Sequence, residues 1–178
     1  MARMPLNTRD PFAGYNLVSI VLHWFTAVAV VVLYLTHERE TEAIHLAIGL
    51  IATPFFLARI WRRFARGYAR ISDQPAILNL LSRLVTFGFL LCLLSVIVTG
   101  LAIPPFKGEA LAVPGLFSLN VPVPANRALA HLLEEIHDLA GHAFLPLLAL
   151  HVIGALKHFF VDRDAVVMRM VRPVPNGK

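Results

Sequence analysis

Charge is what this chain has least of. Lys, Arg, Asp and Glu together make up 15% of its 178 residues, where a soluble domain carries roughly 25%. With 57% hydrophobic residues and a mean hydropathy of +0.69, that shortfall excludes an ordinary soluble domain and points to the membrane class. Cysteine is nearly absent. Cys92 stands alone in an apolar run, so no intrachain disulfide can form and nothing is said about redox compartment. The motif C-x-x-C-H is missing, which excludes covalent c-type haem attachment. Acidic residues number 11 against 16 basic ones, for a net charge of +5. The basic residues sit beside apolar runs, so a cytoplasmic loop bias explains them and nucleic acid is not the expected partner. The opening MARMPLNTRDPFAGY is polar, and no cleaved signal peptide is expected.

What is present is four long apolar runs. They extend from about 16 to 36, 43 to 64, 76 to 103 and 129 to 160, and each meets the requirement of about 20 residues for a helical span. The third is expected to stop at Pro104-Pro105, which cannot easily continue a helix. Strands are excluded, because the runs do not alternate and lipid admits only helices or closed barrels. The fold expected is an all-α, four-transmembrane-helix bundle, with residues 1–178 as one integral membrane domain. The stretch between the third and fourth spans holds five prolines and two glycines, which argues against regular structure there.

Orientation follows from Lys and Arg. The N-terminal tail holds Arg3 and Arg9; the second connection and its flanks hold Arg59, Arg62, Arg63, Arg66, Arg70 and Arg83; the C-terminal end holds Lys157, Arg163, Arg169, Arg172 and Lys178. The other side has only Arg39, Lys107 and Arg127. The positive-inside rule then puts both termini in the cytoplasm, with the chain in the cell's inner (plasma) membrane.

The chain is organised around the fourth span, IHDLAGHAFLPLLALHVIGALKH, which carries His137, His142, His151 and His158. His137 and His151 are fourteen residues apart, so they fall within about 40° of one helical face and about 21 Å apart along the axis. Ionisable residues inside a hydrophobic span are functional candidates by default. His23 lies about 10 Å in from the cytoplasmic start of the first span, the same depth as His151. His45 lies just inside the outer end of the second span, the depth of His137. The pairing read from depth is His23 with His151 and His45 with His137.

A b-type haem needs one imidazole from each side of its plane, supplied by facing helices. Two such layers predict two haem b groups stacked across the bilayer, with His23, His45, His137 and His151 as ligands to iron. Zinc is the poorer reading, since a structural site wants four ligands converging at one depth. Arg59, fourteen residues after His45, shares its face and suits a haem propionate, although a positive-inside role explains it equally. Gly49, one turn after His45, leaves space for a flat ring or for plain helix packing. His142 lies about 140° from His137 on the wheel and suits a hydrogen bond better than ligation. His37 is expected to be solvated, and His131 has no assigned role. Trp24 and Trp61 fit interfacial anchoring or packing against a cofactor.

The runs YNLVSIVLHW, EAIHLAIGLIATPFFLARIWRR and HDLAGHAFLPLLALHVIGALKHFF resemble the bacterial cytochrome b561 family over nearly the whole chain. The resemblance is carried by His23-Trp24, by the I-H-x-x-x-G from Ile44 to Gly49, and by the gap from His137 to His151. It implies a four-helix, di-haem oxidoreductase with those histidines as ligands. The branch most similar is superoxide oxidase, which implies oxidation of superoxide at the outer face and reduction of ubiquinone. His158, Arg83 and Ser82 are the quinone contacts expected near the inner haem. Superoxide is an anion, and the outer cations Arg39, Lys107 and Arg127 are diluted by Glu38, Glu40, Glu42, Glu109, Glu134 and Glu135. The competing expectation is a non-catalytic conduit, the cytochrome b subunit anchoring a hydrogenase or dehydrogenase. Four spans with short tails favour a protein that works without a protein partner.

Overall fold

Lipid offers the backbone no hydrogen bonds, so an apolar run must satisfy its own amides, and the helix does this within one segment. A computed structural model describes residues 15–66 and 75–173, and four helices in it are long and apolar enough to cross a membrane. They are α1 (Leu17–Leu35), α2 (Glu42–Arg66), α3 (Ala76–Lys107) and α4 (Arg127–Leu156). Helix α4 runs on into a π-helical turn, Lys157–Asp162. The expected Arg70, Arg3, Arg9 and Lys178 contributions to the charge bias lie outside the described residues.

Caps set the helix starts. The Asn16 side chain accepts from the Ser19 amide at 3.0 Å, and the Asn126 side chain accepts from the Leu129 amide at 3.0 Å, each satisfying a donor that the first turn leaves orphaned. Arg62, from the far end of α2, donates to the same Asn16 oxygen at 2.8 Å and ties the two helix ends together.

Helix α3 packs along α4, α1 along α2, and α2 against α3; α1 and α4 approach one another far less closely. The buried centre is Ala29, Ala52, Phe56, Ile60, Leu90, Leu93 and Ile97. Small side chains such as Ala29 and Ala52 let helix backbones approach where no hydrophobic force drives them together. At the α3–α4 crossing, a Cβ added to Gly88 would stand 3.1 Å from a Leu147 methyl carbon. Outward positions are large and apolar, with Trp61 75% and Leu139 72% exposed, as a lipid-facing surface requires.

Two sequence expectations are corrected. Helix α3 does not stop at Ile103 but continues through Pro104 and Pro105 to Lys107. Proline removes a donor without forbidding helical φ, and the loss is tolerated here because it falls in the final turn. Gly108 closes that turn in the left-handed region (φ 84), with Gly108 and Glu109 amides donating to the Pro105 and Pro104 carbonyls at 3.0 and 2.8 Å. The following loop is also not irregular throughout. It forms an antiparallel hairpin of β1 (Leu111–Val113) and β2 (Phe117–Leu119). Pro114 and Gly115 (φ 77) occupy its turn, and the Leu116 amide donates to the Val113 carbonyl at 3.0 Å, the type II arrangement that wants proline then glycine. Leu111 and Val113 are buried, and β1 lies against α2. Below, the hairpin end of the bundle is distinguished from the terminal end, where α1 starts and α4 finishes.

Candidate functional site: two imidazole pairs

Although α1 and α4 approach little, histidines from α1 and α2 meet histidines of α4 in two pairs. At the terminal end, the His23 ring on α1 faces His151 on α4 with centroids 6.1 Å apart. At the hairpin end, the His45 ring on α2 faces His137 on α4 with centroids 6.0 Å apart. The pairs are those read from depth, and α4 supplies one member of each. His23, His45 and His137 are half-buried, while His151 is more exposed. The Phe89 ring of α3 meets His151 edge-on at 5.6 Å.

The far nitrogens of the hairpin-end pair are both held by acceptors. His45 Nδ1 donates to the Leu33 carbonyl at 2.9 Å. His137 Nδ1 lies 2.9 Å from Thr99 Oγ1, and Thr99 spends its single hydroxyl proton on the Ser95 carbonyl at 2.7 Å. Thr99 therefore accepts from His137. In a neutral imidazole one nitrogen donates and the other accepts, so both rings keep a lone pair on Nε2. That is the tautomer a metal ligand needs, fixed by an outer contact. Gly100 makes the approach possible, since a Cβ there would stand 3.1 Å from His137 Cε1.

The terminal-end pair is different. Arg59 Nη2 donates to His23 Nδ1 at 3.0 Å. Arg59 thus sits beside His23 on the same face as His45, as its spacing predicts. The Trp24 indole, next to His23, donates to the Met170 carbonyl at 2.9 Å, which draws the C-terminal segment across the end of α1.

The remaining candidates scatter. His158 lies on the π turn with Nδ1 2.7 Å from Asp164 and 3.2 Å from Asp162. Ser82 and Arg83 are exposed on the early turns of α3, where the Ser82 carbonyl accepts from Thr86. His142 Nδ1 donates to the Asp138 carbonyl of its own helix at 2.7 Å, and its ring meets Tyr34 and His37. His37 is exposed and stacks on Tyr34. His131 is exposed beside Glu135. A Cβ on Gly49 would find only Leu33 Cδ2 at 3.9 Å, so that position is open. Lys107 is held by Glu134 at 2.6 Å and Glu42 at 3.5 Å, tying α2, α3 and α4 together at the hairpin end.

Sequence reasoning missed Thr99, Gly100 and the Leu33 carbonyl. A polar Thr followed by Gly deep in an apolar run was the available signal for the first two. A backbone carbonyl leaves no signal at all.

Comparison with known proteins agrees with this geometry. A family model described as prokaryotic cytochrome b561 matches residues 14–173, which takes in all four spans and both pairs. Cytochrome b562 of Cereibacter sphaeroides is 27% identical, over 93% of this chain and 99% of its own. Cytochrome b561 homolog 2 of Escherichia coli strain K12 is 22% identical, over 88% of this chain and 90% of its own. Four helices long and apolar enough to cross a membrane, two facing pairs of histidines and a match running the length of the bundle lead to one conclusion: the chain is a multi-pass b-type cytochrome of electron transfer, for which haem b is implied, and it belongs to the prokaryotic cytochrome b561 family.

Proposed function

We propose that this protein holds two b haems and moves electrons across the inner membrane, from superoxide at the outer face to ubiquinone at the cytoplasmic face. The observation that carries the di-haem reading is the spacing of the rings. A metal–imidazole bond is about 2 Å, and a ring nitrogen lies about 1 Å from its centroid, so two imidazoles on opposite sides of one iron have centroids about 6 Å apart. The pairs stand at 6.1 and 6.0 Å. His23 and His151 would hold the inner haem, His45 and His137 the outer one. The bound groups would supply reversible one-electron chemistry.

The chain's own residues then have defined tasks. Leu33 and Thr99 orient the outer ligands. Arg59 must change partner: with iron on His23 Nε2, Nδ1 carries the proton, and the guanidinium would face a donor with a donor. It would turn instead to an anionic propionate, which guanidinium binds well in two-pronged fashion. Gly100 keeps His137 in place. A Gly100→Val protein is expected to lose the Thr99 contact and to bind the outer haem at least about tenfold more weakly, measured by haem titration of the purified protein against Gly100→Ala, which requires a shift of only a few tenths of an ångström.

Lys and Arg concentrate at the terminal end, in Arg59, Arg62, Arg63, Arg83, Lys157, Arg163, Arg169 and Arg172, which supports cytoplasmic termini by the positive-inside rule. His158, with its Nδ1 edge held by Asp164, and Ser82 and Arg83 on α3 are the polar groups offered to ubiquinone there. Stopped-flow mixing with superoxide tests the donor. Reduction near the diffusional ceiling of about 10⁸ M⁻¹s⁻¹ is expected, and slow reduction would remove superoxide as the substrate.

A second reading, the electron conduit or anchor of a hydrogenase or dehydrogenase, is favoured by one observation. Lys107, an outer cation, is already held by two carboxylates. An acidic rim suits a partner protein with a basic face better than it suits an anion. Co-purification of a redox partner together with slow superoxide reduction would select this reading.

A further inference from the structure

The two imidazole pairs are matched in spacing and opposed in surroundings. Around the outer pair, both far nitrogens donate to neutral acceptors, His45 to the Leu33 carbonyl at 2.9 Å and His137 to the Thr99 hydroxyl at 2.9 Å. The acceptor character of Thr99 is enforced, because its own proton goes to Ser95 at 2.7 Å, and Thr99 is buried at 4% exposure where no solvent can substitute. Beside the inner pair stands a cation, Arg59, 3.0 Å from His23.

These surroundings push a bound iron in opposite directions. An imidazole that donates from its far nitrogen is a more basic ligand, and a more basic ligand favours the oxidised, more positive iron. A guanidinium turned to a propionate of the inner haem would cancel that carboxylate's charge, which otherwise favours the oxidised form, and so favours the reduced one. Resting on the di-haem reading above, we propose that Thr99 and Arg59 are positioning residues that set the direction of electron flow, holding the outer centre at the lower potential and the inner centre at the higher. One electron leaves the outer iron, which is oxidised from Fe(II) to Fe(III). The same electron reduces the inner iron from Fe(III) to Fe(II). No proton or ligand changes hands, and the transfer runs inward and downhill.

The test is an optical redox titration of the full-length protein carrying its haems. The unsubstituted protein should show two b-type midpoints. Thr99→Val keeps the shape and removes the acceptor, and it should raise the lower midpoint by about 59 mV, a tenfold change in the preference for the oxidised form, leaving the higher one in place. Thr99→Ser should restore it. Arg59→Gln, independently, should lower the higher midpoint by a similar amount. If Thr99→Val moves the higher midpoint or neither, or if Arg59→Gln leaves the higher midpoint where it was, the tuning is wrong while the two haems stand. A single b-type centre in the unsubstituted protein would instead overturn the di-haem reading, and this proposal with it.

Discussion

A His137→Ala protein keeps one b-type centre and loses the other, and His45→Ala loses the same one. His23→Ala and His151→Ala spare that centre and lose its companion. The expectation follows from rings standing 6.0 and 6.1 Å apart in two separate pairs. Removing one imidazole would leave its partner as the one remaining member of that pair to hold the group. His142 is turned to the Asp138 carbonyl and His158 to Asp164. Haem content should fall from two per chain to one in each single variant. It should stay at one in the double His45→Ala/His137→Ala, and vanish in His137→Ala/His151→Ala. Loss of the same centre in His45→Ala and His23→Ala would contradict the pairing.

The second large effect is expected at a position that touches no ligand. In Gly88→Leu, a side chain must enter a crossing where a bare Cβ already stands 3.1 and 3.2 Å from the Leu147 methyl carbons. Leu147 lies one helical turn before His151 and on the same face, so pushing it away also carries His151 from His23. Overpacking of this kind typically costs about 1–3 kcal/mol, which lowers the thermal midpoint of a chain this long by roughly 3–10 °C. The inner centre should be depleted before the outer one, because His137 lies almost three turns before Leu147 in α4. Gly88→Ala is the control, since the Leu147 branch can yield by a few tenths of an ångström. Retention of both centres and of the thermal midpoint in Gly88→Leu would show that α3 does not position His151.

The histidine depths were legible in the sequence because they depend on one helix at a time. His137 and His151 share a face by counting at 100° per residue, and His23 and His45 acquire depths by counting from the ends of their own spans. What counting could not supply is what stands behind each ring. Thr99 reaches His137 only because α3 packs closely on α4 and Gly100 has no side chain. Arg59 shares a face with His45, yet the imidazole it contacts belongs to His23 on another helix. His158 follows His151 by two turns of α-helix in sequence, but the chain widens into a π turn at Lys157 and folds back, so Asp164 comes to meet it. The prolines at 104 and 105 were read as a stop. A terminal turn can forgo two amides when Gly108 closes the end.

The sequence by itself determined four spans and two depths at which imidazoles accumulate, and its charge bias predicts their direction in the bilayer. Apolar length, charge asymmetry and helical phase are all properties of a single segment. Only the tertiary structure decided which helix faces which, which hydroxyl, carbonyl or guanidinium meets the far nitrogens of His137, His45 and His23, and where the hairpin and C-terminal segment pack at the two ends. Those choices rest on close approach at small residues such as Gly88, Gly100 and Ala52. A fit between two surfaces is not encoded in either surface alone.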